Sequence, residues 1–261
     1  MKQALIELYR YRELLFMVVY RDIRIKYKQS IMGLMWAVLM PALVVMAGIL
    51  VKYAYAIASK DPLDLNDVAG VAVKSIPWAF LVGSIRFASS SLIGNSNLVT
   101  KIYFPKEIFP LAAVGSQLFD LVIASVVLAT ALLLSGVGVS WYLAWVPGLT
   151  IILILLAVGI GTIVSAASLF FRDVKYIVEV LLTFGIFFTP VFYDVNMFGD
   201  FGRFLLLNPV APVLEAFRAV VVLHRAPDVA WLLYSAAVAL LATVGSYAVF
   251  KKLEPSFAES I

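Results

Sequence analysis

Cysteine is absent from the 261-residue chain, and histidine occurs once, at His224. The first absence excludes disulfides, thiolate nucleophiles and cysteine metal sites, and the second excludes a multi-histidine metal centre. Charge is scarce too: 14% of residues are Asp, Glu, Lys or Arg, against about a quarter in soluble domains. No GxxxxGK[ST], HExxH or GxSxG motif occurs, so the chain brings no phosphate-binding loop of its own. What is there is apolar: 63% of residues are hydrophobic, mean hydropathy is +1.01, and the apolar residues come in long blocks. Such blocks make lipid the solvent for most of the chain. The net charge of +4 is no nucleic-acid signal, because the basic residues are distributed as in a membrane protein. The first thirty residues carry too much charge for a cleavable leader.

The blocks predict an all-α integral membrane protein with six transmembrane helices in a single domain over 1–261. Residues 31–51 begin with twenty uncharged residues around Pro41, enough to cross roughly 30 Å of hydrocarbon. A second span over 75–94 is interrupted by Arg86. From Leu121 to Phe171 there are 51 residues without a formal charge. As one helix they would be about 76 Å long. They must fold back, and "GVGVSW" at 136–141 is the turn. This makes spans three and four 109–135 and 143–170. Span five covers 176–192, and span six covers 229–250 before Lys251 and Lys252. Residues 52–74, with Asp61, Asp64 and Asp67, form an outside loop. Residues 193–228 are too apolar for a watery loop and too charged for a crossing; they predict a re-entrant helical pair, broken at Asn208, Pro209 and Pro212.

Charge placement agrees with six crossings and both termini in the cytoplasm. The amino end, 95–110, 171–176 and the carboxyl end hold 13 of the 20 Lys and Arg residues, as the positive-inside rule requires. Residues 4–28 do not cross. Arg10, Glu13, Arg21, Arg24 and Lys28 fall on one side and Leu8, Leu15, Val19 and Ile23 on much of the rest, which predicts an interface helix lying among the headgroups. It is either an anchor for span one or a platform for a cytoplasmic partner.

Ionisable residues near hydrocarbon are functional candidates. Asp120 with Gln117, and Glu179, lie near proposed cytoplasmic ends. Arg86 lies deeper; it either pairs with an acid on a neighbouring helix or subunit or faces a transport path. Phe184, Phe187, Phe188, Phe192 and Tyr193 run into the re-entrant segment and are either belt and core or the aromatic lining of a conduit for sugar rings.

"SIMGLMWAVLMPAL" at 30–43, "NLVTKIYFPKEIFPLA" at 97–112, "LFFRDVKYIVEVLL" at 169–182, "FFTPVFY" at 187–193 and "LNPVAPVLEAFR" at 207–218 occur in an order that resembles the membrane subunits of ABC-2 type exporters. The likeness is to the branch that exports O antigen, teichoic acid or capsule. It implies a homodimer above two copies of a separate ABC ATPase, which binds ATP and Mg; the chain itself holds no cofactor, performs no catalysis and binds no nucleic acid. It also implies that 97–110 is a coupling helix loop docked on the ATPase. Asn97, Lys101, Ile102, Phe104, Pro105, Lys106 and Glu107 would make that contact, Phe104 and Ile102 as apolar knobs, with Arg172 and Asp173 as a second contact.

The function expected from the resemblance is export of a lipid-linked polysaccharide across the bacterial inner membrane, in contact with membrane lipid. Arg21, Arg24 and Lys28 would attract its pyrophosphate, and Arg86 with the aromatic group and the 208–212 break would line or gate the route. An exporter of a drug or small lipid of the same class, and a membrane-embedded glycan-processing enzyme, remain the alternatives.

Overall fold

The computed structural model describes residues 6–7, 9–28, 31–59, 62, 64–101, 104–195, 197, 199 and 202–259. Among them there is no β-strand. The helices are α1 (Arg12–Lys28), α2 (Met35–Ser59), α3 (Leu65–Ser91), α4 (Ser96–Lys101), α5 (Ile108–Leu134), α6 (Val146–Phe170), α7 (Val174–Gly185), α8 (Gly202–Leu205), α9 (Val210–Val221) and α10 (Val229–Leu253). Among the described residues, five helical stretches are long and apolar enough to cross a membrane: Met35–Ala58, Leu65–Ser91, Ile108–Leu134, Trp141–Phe170 and Val229–Phe257.

The centre of the bundle is α3, which packs on α2, α5, α6, α7 and α9. It begins ten residues before the expected start of span two. The reason is a capping box: the Asp64 carboxylate accepts the Leu65 N–H at 2.7 Å, and Asp67 turns back to the Asp64 N–H at 3.4 Å. A helix start with two of its orphan donors satisfied forms readily. At the same end α2 runs on to Ser59, eight residues past the expected limit of span one. Of the loop expected at 52–74, residues 52–59 and 65–74 are therefore helical. Lys52, Asp67 and Lys74 lie on helices, not in a water-exposed connection.

The fold-back in the uncharged block falls at Gly136, whose φ of +82° suits glycine. The Gly136 N–H donates to Leu133 O at 3.2 Å and the Val137 N–H to Leu132 O at 3.0 Å, the two bonds of a Schellman ending. Ser140 then caps the 3₁₀ turn Trp141–Trp145 that leads into α6. Helices α6 and α10 approach so closely that a Cβ on Gly159 would lie 2.9 Å from the backbone of Ala242 and Thr243.

Span five differs most from expectation. Helix α7 ends at Gly185, and 186–193 continue as turns. Twelve residues give a helix of about 18 Å, short of the hydrocarbon thickness. Of 193–228, α8 and α9 are helical, and α9 is buried against α3, α6 and α10.

Two apolar cores result. One lies along α3, α6 and α9 with Phe192 and Val191. The other gathers Val18 of α1, Leu92, Val99, Phe104, Phe109, Leu169, Phe250 and Phe257, and so draws α1, the α4–α5 connection and the ends of α6 and α10 to one end of the bundle.

Candidate functional site

At that end, the segment that attracted attention in the sequence is folded into its own subunit. Helix α4 leaves Asn97 and Lys101 exposed and buries Val99. Ile102 lies outside the described residues. Phe104 is turned inward, edge-on to Phe109 with ring centroids 5.5 Å apart, and the Lys106 ammonium sits 4.5 Å from its ring centre. Pro105 is buried beside it. Burial pulls the Lys106 ammonium below its ordinary range, with the Glu254 carboxylate opposing.

Glu107, 1% exposed, accepts hydrogen bonds from Lys251 Nζ at 2.9 Å and Tyr247 OH at 3.3 Å. Lys251 also donates to Glu254 at 2.9 Å, and Glu254 accepts the Lys106 backbone N–H at 3.0 Å. The segment expected to meet a partner is thus tied to the end of α10 by a closed set of ionic and backbone bonds. Arg172 and Asp173 are exposed at the same end, in the short link between α6 and α7. Of the expected contacts, the exposed face presents Asn97, Lys101, Arg172 and Asp173, while Phe104, Pro105 and Glu107 hold the face in place.

Helix α1 is fastened to α5 by Lys26 and Tyr27, which both donate to Asp120. The accompanying close approach is Val19 against Gly115. Burial and the adjacent carboxylate raise the Tyr27 phenol well above its usual range. Arg21, Arg24 and Lys28 line one shallow hollow on α1 with Tyr20 and Ile25, and Arg21 is already paired with Asp22 at 2.8 Å. Arg86 meets Glu179 of α7 in a two-pronged pair, Nη2 to Oε1 at 2.6 Å and Nε to Oε2 at 2.9 Å, with both side chains about half exposed. The acid partner anticipated for Arg86 is therefore on a neighbouring helix of the same chain.

The opposite end carries a cluster that sequence reasoning did not assemble. Asp194 sits between three cations: Lys52 Nζ at 2.7 Å, Lys74 Nζ at 3.0 Å and Arg218 Nη1 at 3.0 Å. Lys74, with no exposed surface, also donates to Tyr193 O at 2.6 Å and to Glu215 at 3.2 Å; Lys52 also donates to Asp67 at 2.9 Å. Three cations face three anions, so the group is neutral as a whole. Burial pushes the Asp194 carboxyl up, but Lys74, Lys52 and Arg218 outweigh it and hold it below the ordinary carboxylate range. A Cβ on Gly70 would come within 2.9 Å of Arg218 Nε, so a glycine there lets the guanidinium lie flat on α3. The one local signal in the sequence was the Asp64–Asp67 capping spacing, which would have moved Asp67 and Lys74 onto a helix.

Phe192, 8% exposed, packs into the main core beside this cluster. Phe184, Phe187 and Phe188 are instead exposed on α7 and the turn after it. Tyr193 OH donates to Phe187 O at 2.8 Å, closing that turn. Asn208 donates to Thr189 Oγ1 at 2.9 Å and accepts the Val210 N–H at 3.1 Å, so it starts α9 and fastens it to the same turn. Pro209 and Pro212 occupy the first turn region of α9, where a missing N–H costs nothing. The aromatic group is thus divided between core and surface, with the 208–212 break bonded between its halves.

A model of the ABC-2 type transporter family matches residues 13–222. The O-antigen export system permease protein RfbA of Myxococcus xanthus is 28% identical over 258 residues, which cover 98% of each chain. A protein of the same name from Klebsiella pneumoniae is 24% identical over 251 residues, covering 95% of this chain and 94% of its own. With its apolar helices and a match over most of its length, the chain belongs to the ABC-2 type transporter family of membrane proteins.

Proposed function

We propose that the chain is the transmembrane subunit of an ATP-driven exporter that carries a lipid-linked polysaccharide, an O antigen or similar surface glycan, out across the bacterial inner membrane. The observation that carries this function is the full-length likeness to permeases named for O-antigen export. The chain does no covalent chemistry in this scheme. ATP and Mg are held by two copies of a separate ABC ATPase, and the permease works as a homodimer. The exposed apolar rows of α2 and α7, among them Met40, Leu43, Met46, Tyr176, Ile177 and Phe184, are surface that a second copy and lipid can cover.

Six traversals fit the geometry. Helix α6 ends beside α1 and α10's last turn, whereas Asp194 bonds to Lys52 and Lys74 at the opposite end. The stretch 171–192, α7 with the turns after it, supplies the sixth traversal in this reading despite its short helix. Both termini then lie on the cytoplasmic side with α4, Arg172 and Asp173. In this arrangement 193–228 dips from the outer face as a re-entrant pair. Its ionic cluster fastens that segment to α2 and α3.

ATP-driven closure of the ATPases pushes on 97–110 through Asn97, Lys101 and its neighbours. The push reaches α5 along the chain and α10 through the Glu107–Lys251 bond. Arg21, Arg24 and Lys28 attract the pyrophosphate of the cargo to the cytoplasmic face. Arg86 and the exposed Phe184, Phe187 and Phe188 face the route along α7.

The test is made in a strain lacking the gene. Lipid-linked glycan is expected to accumulate on the cytoplasmic side while surface polysaccharide disappears, with rescue by the intact chain. A variant with Lys101 and Arg172 both replaced by Glu is expected to reach the membrane folded yet fail to rescue. Normal surface glycan with no internal accumulation would reject the polysaccharide cargo in favour of a small substrate.

A further inference from the structure

A groove of about 450 Å³ runs between α2, α3 and α5. Its walls are apolar, with Trp36, Met40 and Val44 of α2 facing Phe80 of α3 and Leu121 of α5. Its polar groups are gathered at one end: Lys26, Arg86, Gln117 and Asp120. That end lies level with α1, through the bonds of Lys26 and Tyr27 to Asp120.

The polar end has donors to spare. Gln117 is 4% exposed, and its Nε2 is buried with no hydrogen-bond partner. Its Oε1 side lies against Gly83, where a Cβ would come within 2.6 Å. A buried amide donor without an acceptor calls for one. Arg86 engages Glu179 through Nε and Nη2 and leaves Nη1 outside that pair. Lys26 hydrogen-bonds Asp120 and lies 5.1 Å from the centre of the Phe87 ring, so its ammonium also borders the groove. Asp120 and Glu179 are each occupied by their cations, so the open valence at this end is N–H.

We infer that this groove holds one acyl chain of a bilayer glycerophospholipid, with the ester and phosphodiester oxygens of that lipid at Gln117, Arg86 and Lys26. The order of polarity along the groove is that of such a lipid, and the donor-rich end meets its acceptor-only head. The amphipathic α1 fixes that end at headgroup depth. A lipid seated there fills the gap between α2 and the α3–α5 pair and makes α2 a helix packed partly on lipid. The inference needs only a chain embedded in a bilayer, and it holds whatever the exported cargo is.

The test uses the full chain in native membrane vesicles with phosphatidylglycerol carrying a diazirine near the end of one acyl chain. Photolabel is expected on α2 and α5 peptides that line the groove. Ala79→Phe, which fills the groove from α3, is expected to remove that label while labelling of the outward face of α10 stays as it was. Gln117→Leu keeps the volume and removes the donor. Labelling at the groove is then expected to fall about tenfold, the worth of roughly one hydrogen bond. Both variants are checked for an unchanged elution volume; should Ala79→Phe fail to fold, Gln117→Leu carries the test alone.

Label spread evenly over all outward helix faces, indifferent to Gln117→Leu, would overturn the inference. So would displacement of the label by polyprenyl phosphate but not by excess phospholipid, which would make the groove a cargo site. The absence of native cysteine allows a third arm: a disulfide between Met40→Cys copies in the membrane would give the groove to a second subunit instead.

Discussion

Replacing Lys74 by Met tests the ionic cluster most directly. Methionine matches the lysine stem in length and removes only the ammonium. Lys74 has no exposed surface, and its Nζ serves Tyr193 O, Asp194 and Glu215 at 2.6, 3.0 and 3.2 Å. Without it, three carboxylates face two cations. Asp194 keeps Lys52 and Arg218, but Glu215 keeps only Arg218, at 4.0 Å. Breaking a buried ionic group by deleting one partner costs about 3–5 kcal/mol. For a chain of this size that corresponds to a fall in Tm on the order of 6–20 °C.

Glu215→Gln in the same background returns the cluster to neutrality and is expected to recover about 1–3 kcal/mol. The assay is thermal unfolding of the full chain in detergent, followed by the monodisperse fraction surviving each temperature. The reasoning fails if Lys74→Met shifts Tm by less than about 2 °C, or if the double variant melts no higher than the single.

Arg86→Gln is expected to leave the melting temperature nearly unchanged, because a half-exposed pair contributes about 0–1 kcal/mol; complementation of surface glycan is expected to drop, and a folded variant with full export would remove Arg86 from the route. The acid limb of stability carries a sign. The Asp194 carboxyl is held below its ordinary range, so its contribution is complete above about pH 4 and is lost as pH falls through the lower folded value. Melting curves taken downward from pH 6 should therefore show a loss only at the acid end, reduced in Asp194→Asn. Gly159→Ala places a methyl 2.9 Å from the α10 backbone and should cost about 1–3 kcal/mol by overpacking; an unchanged Tm would mean α6 and α10 slide apart freely.

Much of the helical layout could be read along the chain because it depends on near neighbours and on solvent. The uncharged run from Leu121 to Phe171 has to leave water and has to turn, and Gly136 can adopt the positive φ that the turn needs. The end of span two was misplaced for an equally physical reason. Lys74 looks like a residue of a watery loop until its partners are known, and Asp194 and Glu215 lie 120 and 141 residues away. The helix stops short of the expected span five because "IFFTPVFY" carries no charge to mark an end, whereas Asn208 and Tyr193 bond its backbone into turns.

The segment 101–110 shows the same division. Its position between two apolar spans and its mixture of Lys, Glu and aromatic residues are visible in "KIYFPKEIFP". Which of those side chains face outward is not, since Phe104 and Glu107 find their burial against Phe109, Lys251 and Tyr247.

Membrane residence, the order of the apolar helices and the turn at Gly136 were determined by the sequence alone, because transfer to lipid and local backbone geometry act on residues close together in the chain. The pairing of Lys52, Lys74 and Arg218 with Asp194, of Arg86 with Glu179, and of Glu107 with Lys251 was decided only by the tertiary structure. A charge can enter an apolar bundle only where a partner meets it, and folding brings those partners together from helices far apart in sequence.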